Sequence, residues 1–451
     1  MCLGGEPVAF EPRIVAFLCT WCSYTGADTA GIARLKSPAN LRAIRVPCSG
    51  RVSPELVMRA FDQGADGVLV LGCHIGECHY DTGNHRTAKR LPLLRELMGF
   101  VGLEPDRLHL DWVSASEGER YSRIATEFVD RVRTLGPVHW RLPKEQQVEI
   151  NRQLMANRTD TPFELNDCAS KTDAIRTKAR ELLSSGQVDC VIGYEVGPRG
   201  KTRPAFIYDA EDVDRLVWNP DCVYNLTTYL DVKLRPPKLK ELKPVAIVVK
   251  PCDSRALNVQ LAESQFSREH VHVIGVTCEG VRNQKGNLRG RCEQCGHPNP
   301  VIYDTLVGAP VKSHPVPENP ALLEIETLSP PERMEYWLSQ FDRCIRCYAC
   351  RQGCPVCTCP TCLYERDDSL WVGLGVGMNE KRTFHLGRAY HIAGRCVGCN
   401  ECERVCPMDI PISLLNMKLA QEIEKSFGHV AGLEPVLSPV VTVLSGEYKE
   451  G

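Results

Sequence analysis

The chain lacks any apolar run near the roughly 18 residues that a membrane-crossing helix needs, and its first residues lack the apolar core of a signal peptide. Charge of one sign is missing too: 54 Lys and Arg stand against 56 Asp and Glu, a formal net charge of −2. That balance leaves no electrostatic footprint for a nucleic acid, and no basic helix-turn-helix stretch is found. No G-x-G-x-x-G follows an expected strand, which removes a nicotinamide site of the Rossmann type. Gly197-Pro-Arg-Gly200-Lys201 is too short for a phosphate loop and lacks its terminal Ser or Thr, so a turn is expected there. No nickel or selenocysteine motif is present. The remaining composition, 43% hydrophobic and 24% charged over 451 residues, is that of an ordinary soluble protein. Roughly two to four domains in a cytoplasmic setting are expected.

Cysteine is what the chain has in excess, with 24 in all. Disulfide frameworks belong to small secreted domains, so metal ligation is the expectation for so many thiols here. They fall into groups: five between 19 and 78, four between 252 and 295, and eleven between 344 and 406. The last group contains Cys344-Ile-Arg-Cys347-Tyr-Ala-Cys350-Arg-Gln-Gly-Cys354-Pro and Cys396-Val-Gly-Cys399-Asn-Glu-Cys402-Glu-Arg-Val-Cys406-Pro. Each has the C-x2-C-x2-C-x3-C-P spacing that wraps a cubane [4Fe–4S] cluster, three thiolates serving one cluster and the fourth the other. Crossed ligation then assigns Cys344, Cys347, Cys350 and Cys406 to one cubane, and Cys396, Cys399, Cys402 and Cys354 to the second. A bacterial-type dicluster ferredoxin domain over 336–425 follows, closed by an amphipathic helix over 414–423, with a weakly patterned tail at 426–451. Cys357, Cys359 and Cys362 have no place in this scheme. They either join a cluster or metal site or stand spare.

Residues 1–138 alternate short apolar runs with helical stretches. Strands over 14–18, 43–46, 67–71 and 108–112, a helix opened by Ser53-Pro54, and another opened near Ser114 or Ser116 argue a doubly wound parallel sheet. Cys19 and Cys22 follow the first strand, Cys48 the second, and Cys73 and Cys78 the third. Such folds build their sites beyond the carboxyl ends of the strands. Four thiols suit a [2Fe–2S] centre and one is left over; which four is open. Cys19-Thr-Trp-Cys22-Ser-Tyr, Pro47-Cys48-Ser-Gly and Gly72-Cys73-His-Ile-Gly-Glu-Cys78-His-Tyr resemble the delta subunit of methyl-viologen-reducing hydrogenases. That resemblance implies a flavodoxin-like fold, a [2Fe–2S] cluster, and electron delivery to a heterodisulfide-reductase flavoprotein. His74, His79 and His85 either tune the cluster or are polar loop residues.

The α/β module expected over 140–335 begins in the polar stretch 144–157. It carries a helix over 174–183 and strands over 188–193, 204–208, 244–249 and 271–276, the last two fully buried by their β-branched content. The order Pro-Cys252 after a strand, a helix with Ala256-Leu257, Cys278 after a strand, then Cys292-Glu-Gln-Cys295 and a segment closing on Gly308 resembles the beta subunit of coenzyme F-420-dependent hydrogenases and dehydrogenases, including archaeal formate dehydrogenases. The resemblance implies FAD and a further [4Fe–4S] cluster on Cys252, Cys278, Cys292 and Cys295. A zinc site would use the same four thiolates. Lys250, Ser254, Arg255 and the N–H groups opening that helix are candidate holders of a flavin phosphate, because helix N-termini favour anions; Lys250 and Arg255 are otherwise solvated loop charges.

The expected function is an iron–sulfur, flavin-containing electron-transfer subunit of an anaerobic oxidoreductase complex. It would link a hydrogenase or formate-dehydrogenase-type catalytic subunit to a heterodisulfide-reductase-like flavoprotein, with no nucleic acid and no membrane span. Acid–base residues of a substrate site are not evident, so that chemistry falls to another chain. The alternatives are a flavin-free relay whose middle domain is a docking module, and an iron–sulfur redox sensor.

Overall fold

Two open sheets flank a helical, cysteine-rich lobe in the residues that the structure, a computed structural model, describes: 10–138, 163–165, 167–230, 234, 243–283, 285–313, 315–316, 318–366, 372–373 and 375–440. The stretch 144–157 expected to open the second module, and 441–451 of the tail, lie outside the described residues. Among the described residues no helix is long and apolar enough to cross a membrane.

The first sheet runs β2-β1-β3-β4, all parallel, from β1 (Ile14–Cys19), β2 (Leu41–Val46), β3 (Gly67–Gly72) and β4 (Leu108–Trp112). The period of two along each strand sorts side chains to opposite faces. Ile14, Ala16, Leu18, Leu69 and Leu71 pack under α1 (Ser23–Ile32) and α4 (Gly118–Leu135). Phe17, Val68 and Val70 face α2 (Pro54–Asp62) and α3 (Gly83–Phe100). The helix expected to open at Ser114 or Ser116 begins at Gly118 instead. The Glu117 carboxylate accepts the Ser114 N–H at 2.7 Å and ties up that turn, and a Cβ on Gly118 would meet the Ala30 backbone N at 2.8 Å.

The second sheet runs β6-β5-β7-β8-β9, from β5 (Cys190–Val196), β6 (Thr202–Ile207), β7 (Val245–Val249), β8 (Val271–Val276) and β9 (Thr305–Val307). Only the β5–β6 pair is antiparallel. Helix α5 (Cys168–Ser184) packs on it through Ile175, Ala179 and Leu182. Helix α6 (Pro251–Ala262) leaves β7 through a first turn in which Asp253 Oδ2 accepts the Lys250 N–H at 3.1 Å. After the short α7 (Gly290–Glu293) comes the lobe, made of α8 (Pro320–Thr327), α9 (Pro330–Asp342), α10 (Ala349–Gln352), α11 (Met378–His391), α12 (Glu401–Arg404) and α13 (Ile412–Phe427).

The lobe holds the two sheets apart and touches both. Toward the first, α3 lies on α13 and α2 on α11, within one continuous core that includes Leu97, Trp337, Leu386 and Leu415. Buried polar contacts cross that interface. Tyr364 Oη donates to Glu55 at 2.7 Å, His391 Nε2 is 2.9 Å from the same carboxylate, and Arg382 pairs with Asp62. Toward the second sheet, Gln260 donates to the Pro355 carbonyl at 2.8 Å, Arg395 pairs with Glu263, and Arg289 donates to the Asn400 carbonyl at 3.0 Å.

The tail expected at 426–451 is not an appendage over its described part. Residues 428–440 form a strap that accepts hydrogen bonds from Arg255 (to Ala431), Asn258 (to Gly432) and Arg90 (to Val440), while Ser438 donates to Ala393. Gly432 sits at φ +75°, and a Cβ there would stand 2.2 Å from the Arg255 carbonyl oxygen. Gly432→Ala therefore combines left-handed strain with overpacking, a cost of about 2–5 kcal/mol. Limited proteolysis is expected to cleave the strap faster in this variant, with the far-UV circular dichroism retained; unchanged cleavage would contradict the strap's packing.

Candidate metal centres

At the carboxyl edge of the first sheet, Cys19 ends β1, Cys22 caps α1, Cys48 follows β2, and Cys73 and Cys78 follow β3. All five thiols are buried and converge. The Sγ atoms of Cys19, Cys22 and Cys73 lie within 4.8 Å of one another, with Cys19 and Cys73 3.8 Å apart; Cys48 and Cys78 are 3.6 Å apart. Hydrogen bonding of Cys48 to Cys19 joins the pair to the triad. Hydrogen bonds from Cys19 and Cys22 bring the Cys73 thiol down to about 4, while Cys22 is pushed up by its hydrogen bonds to Cys19 and Cys73. Such crowding favours a thiolate at the centre of the group, the form that binds metal. The N-terminus of α3 abuts the pair at Gly83, where a Cβ would stand 2.1 Å from the Cys48 Sγ. Its free N–H groups and dipole favour negative sulfur there. Two of the nearby histidines are engaged elsewhere: His74 Nε2 lies 2.6 Å from Glu117, and the His79 ring stacks on Trp21 at 3.8 Å.

In the lobe the two cysteine runs share one backbone pattern. Arg346 and Gly398, each just before the second cysteine, have φ of +53° and +67°; Tyr348 and Asn400, each just after it, have +58° and +52°. Such left-handed turns gather successive N–H groups into an anion-binding nest. Cys344, Cys350 and Cys406 pack in one apolar cluster with Phe384, Ile410 and Ile412, and Cys402 borders the same cluster. A second small cavity is lined by Cys354, Cys396, Cys399 and Cys402. Cys347 is exposed at the edge of the first. Among the described residues the three insert thiols do not gather into one group. Cys357 packs beside Cys354, Cys396 and Cys399, Cys362 packs in the first pocket, and Cys359 faces solvent. The Cys354 hydrogen bond, helped by Arg388, Arg395 and Arg351, outweighs burial and lowers Cys357 to about 5.

The middle sheet carries a third arrangement. A cavity of about 210 Å³ is lined by Cys252 at the start of α6, Cys278 beyond β8, and Cys292 and Cys295 around α7. Cys399 and Glu401 of the lobe complete its wall. A single zinc ion would draw its thiolates together at Zn–S distances of about 2.3 Å. Among the described residues only Cys19, Cys22 and Cys73 form a group of three or more ligands that close; the middle four line one cavity, and a zinc ion or an iron–sulfur cluster would use the same thiolates.

The candidate flavin residues do not fit a flavin phosphate. Lys250 is neither solvated nor free: its Nζ donates to Asp253 at 2.9 Å, to the Tyr224 carbonyl and to Tyr194 Oη. Ser254 Oγ donates to the Pro251 carbonyl at 2.8 Å and accepts from the Val301 N–H at 3.0 Å. Arg255 is spent on the Ala431 carbonyl at 2.8 Å. Two arginines that no spacing rule pointed to stand among the cysteines instead. Arg291 lines the middle cavity with its Nε buried and unpartnered, and Arg388 lies inside the lobe.

Comparison with known proteins covers the two ends of the chain. The family described as "Methyl-viologen-reducing hydrogenase, delta subunit" matches residues 14–136, and the "4Fe-4S dicluster domain" matches 340–410. An iron–sulfur subunit of the F420-non-reducing hydrogenase vhc from Methanococcus voltae is 45% identical over 128 residues, 28% of this chain and 89% of that protein. The corresponding iron–sulfur subunit of the F420-non-reducing hydrogenase from Archaeoglobus profundus is 48% identical over 128 residues, 28% of this chain and 93% of the relative. A ferredoxin:CoB-CoM heterodisulfide reductase subunit from Methanosarcina mazei is 49% identical over 134 residues, 30% of this chain but 17% of that larger protein.

Gly83 supplies the test of the N-terminal site. Gly83→Ala should displace the Cys48 thiol and lower the iron bound per chain by the N-terminal share, with the irons of the lobe retained. Iron analysis with electron paramagnetic resonance (EPR) reads this, and full iron in the variant would mean that Cys48 is dispensable there.

Proposed function

The chain belongs, through residues 14–136, to the methyl-viologen-reducing hydrogenase delta-subunit family, and from that premise we propose that the whole chain is an intramolecular iron–sulfur wire within an anaerobic, cytoplasmic oxidoreductase complex. Four of the five N-terminal thiols would hold a [2Fe–2S] cluster in a flavodoxin-like unit, a reading supported by the strand order β2-β1-β3-β4. Cys344, Cys347, Cys350 and Cys406 would hold one cubane, Cys354, Cys396, Cys399 and Cys402 a second, and Cys252, Cys278, Cys292 and Cys295 a third. Such clusters, when bound, accept and release single electrons.

The observation that carries the proposal is the shared wall between sites: Cys399 of the lobe lines the cavity of the middle cysteines. The chain's own residues do three things for such a relay. Apolar side chains such as Phe384, Ile392 and Ile412 keep water from the thiols. Left-handed turns aim N–H groups at the sulfurs. The polar interfaces at Glu55 and Glu263 fix the lobe against each sheet.

The N-terminal unit is the candidate contact for a heterodisulfide-reductase-like flavoprotein, since the Methanosarcina relative carries a similar segment within its own chain. The middle unit is then the candidate contact for a hydrogenase or formate-dehydrogenase-type partner. Flavin is assigned to the partner, because Lys250, Ser254 and Arg255 are occupied within this chain. Anaerobically purified protein should contain about fourteen irons, from three cubanes and one [2Fe–2S] centre, with matching sulfide and no flavin. About ten irons with one zinc would reduce the middle unit to a docking piece. Stoichiometric FAD would return the flavin to this chain.

A further inference from the structure

Arg388 is 3% exposed and has no carboxylate within ion-pairing distance among the described residues. It lies on α11 between Phe384, which packs in the pocket of Cys344, Cys350 and Cys406, and Ile392, which packs with Cys354, Cys396 and Cys399. Residues four apart share a helix face, so Arg388 sits one turn from each pocket, in the gap between them. Its Nη2 donates to the Cys350 carbonyl at 2.9 Å. Its Nε and Nη1 are buried without a hydrogen-bond partner. A guanidinium has five N–H donors and is always charged. Leaving it half-satisfied in an apolar gap is costly unless anionic acceptors are supplied there. Burial works against its charge, and the nearby sulfurs of Cys357, Cys354, Cys350 and Cys402 outweigh it and hold the guanidinium protonated.

We propose that Arg388 is a positioning residue shared by both lobe clusters, donating N–H bonds toward sulfur on each side and raising both reduction potentials together. The inference rests on the dicluster assignment and deepens it. A structural tie to the Cys350 carbonyl needs one donor; the two unpartnered donors are what a cluster on each side would use. Reduction adds negative charge, which a fixed cation favours, so removing the cation must lower both potentials.

The test is an EPR-monitored redox titration of the full chain, purified anaerobically, as wild type, Arg388→Met and Arg388→Lys. In Arg388→Met, with iron content held, reduction of both lobe clusters is expected to become roughly tenfold less favourable, a downward shift of about 59 mV for one electron. Arg388→Lys keeps the charge without the fork and should shift both in the same direction by less. If Met at this position prevents cluster assembly, the lysine variant decides alone. Unmoved potentials in a fully loaded variant, or a shift in one cluster only, would overturn the shared role. Wild-type protein without the irons of two lobe cubanes would instead overturn the dicluster reading beneath it.

Discussion

Every thiol that holds iron must do so as a thiolate, and this chain keeps most of its clustered thiols out of water. Burial alone opposes that charge: it pushes Cys350 up to about 11 and Cys399 up to about 12. The rest of the architecture answers this conflict. Where thiols crowd together, as at Cys19, Cys22 and Cys73, hydrogen bonds from the neighbours favour ionisation of Cys73 while Cys22 is held as the thiol. Where they are spread apart, the answer comes from backbone N–H nests at Arg346, Tyr348, Gly398 and Asn400, and from buried cations. Arg291 and Arg388 are otherwise hard to explain, since a buried guanidinium is a liability in an apolar lobe. The thiols and the arginines are each other's compensation.

That constraint also explains why the cysteine-rich lobe stands between the two sheets. A lobe of short helices around two clusters has little apolar surface of its own to bury, so it borrows cores from its neighbours. Trp337, Phe341, Leu386 and Leu415 complete the core under α2 and α3, and Val356, Ile392 and Val397 close against Ala256 and Val259 of α6. The strap over 428–440 then ties α3, α6 and the end of α11 to one another.

Much of this was legible in the sequence because metal ligation imposes spacing. The two C-x2-C-x2-C-x3-C-P runs marked the dicluster domain, and strands that end at Cys19, run directly into Cys73, or run into Pro-Cys at 48 and 252 marked the sheet edges. The short apolar runs of β1 and β3 were equally readable, and both strands are buried along nearly their whole length. What spacing did not carry is the identity of non-ligand neighbours. Lys250 looked like an anion binder because it opens a helix, yet only the fold reveals Asp253, Tyr194 and the Tyr224 carbonyl around its ammonium. Arg388 had no signal, because its role depends on a helix passing between two pockets drawn from segments about 50 residues apart. Cys357 and Cys362 were ambiguous for the same reason: three thiols close in sequence are divided between two pockets.

Electron exchange falls steeply with the gap between centres, so a wire needs interfaces that hold one geometry rather than merely adhere. Apolar packing is tolerant of small slides, whereas buried hydrogen bonds are directional and costly to leave unmade. The interface between the first sheet and the lobe uses this asymmetry. Glu55 is nearly fully buried, and its carboxylate is satisfied only when Tyr364 and His391 stand where the lobe places them. Gly387 makes the approach possible, since a Cβ there would lie 1.8 Å from Tyr364 Oη. A rotation of the lobe would strand that carboxylate and the Asp62–Arg382 pair together. On the other side, Arg395 with Glu263 and Arg289 with the Asn400 carbonyl play the same part. The polar contacts at these interfaces therefore serve register more than adhesion, which is the property a fixed relay between successive thiol sites requires.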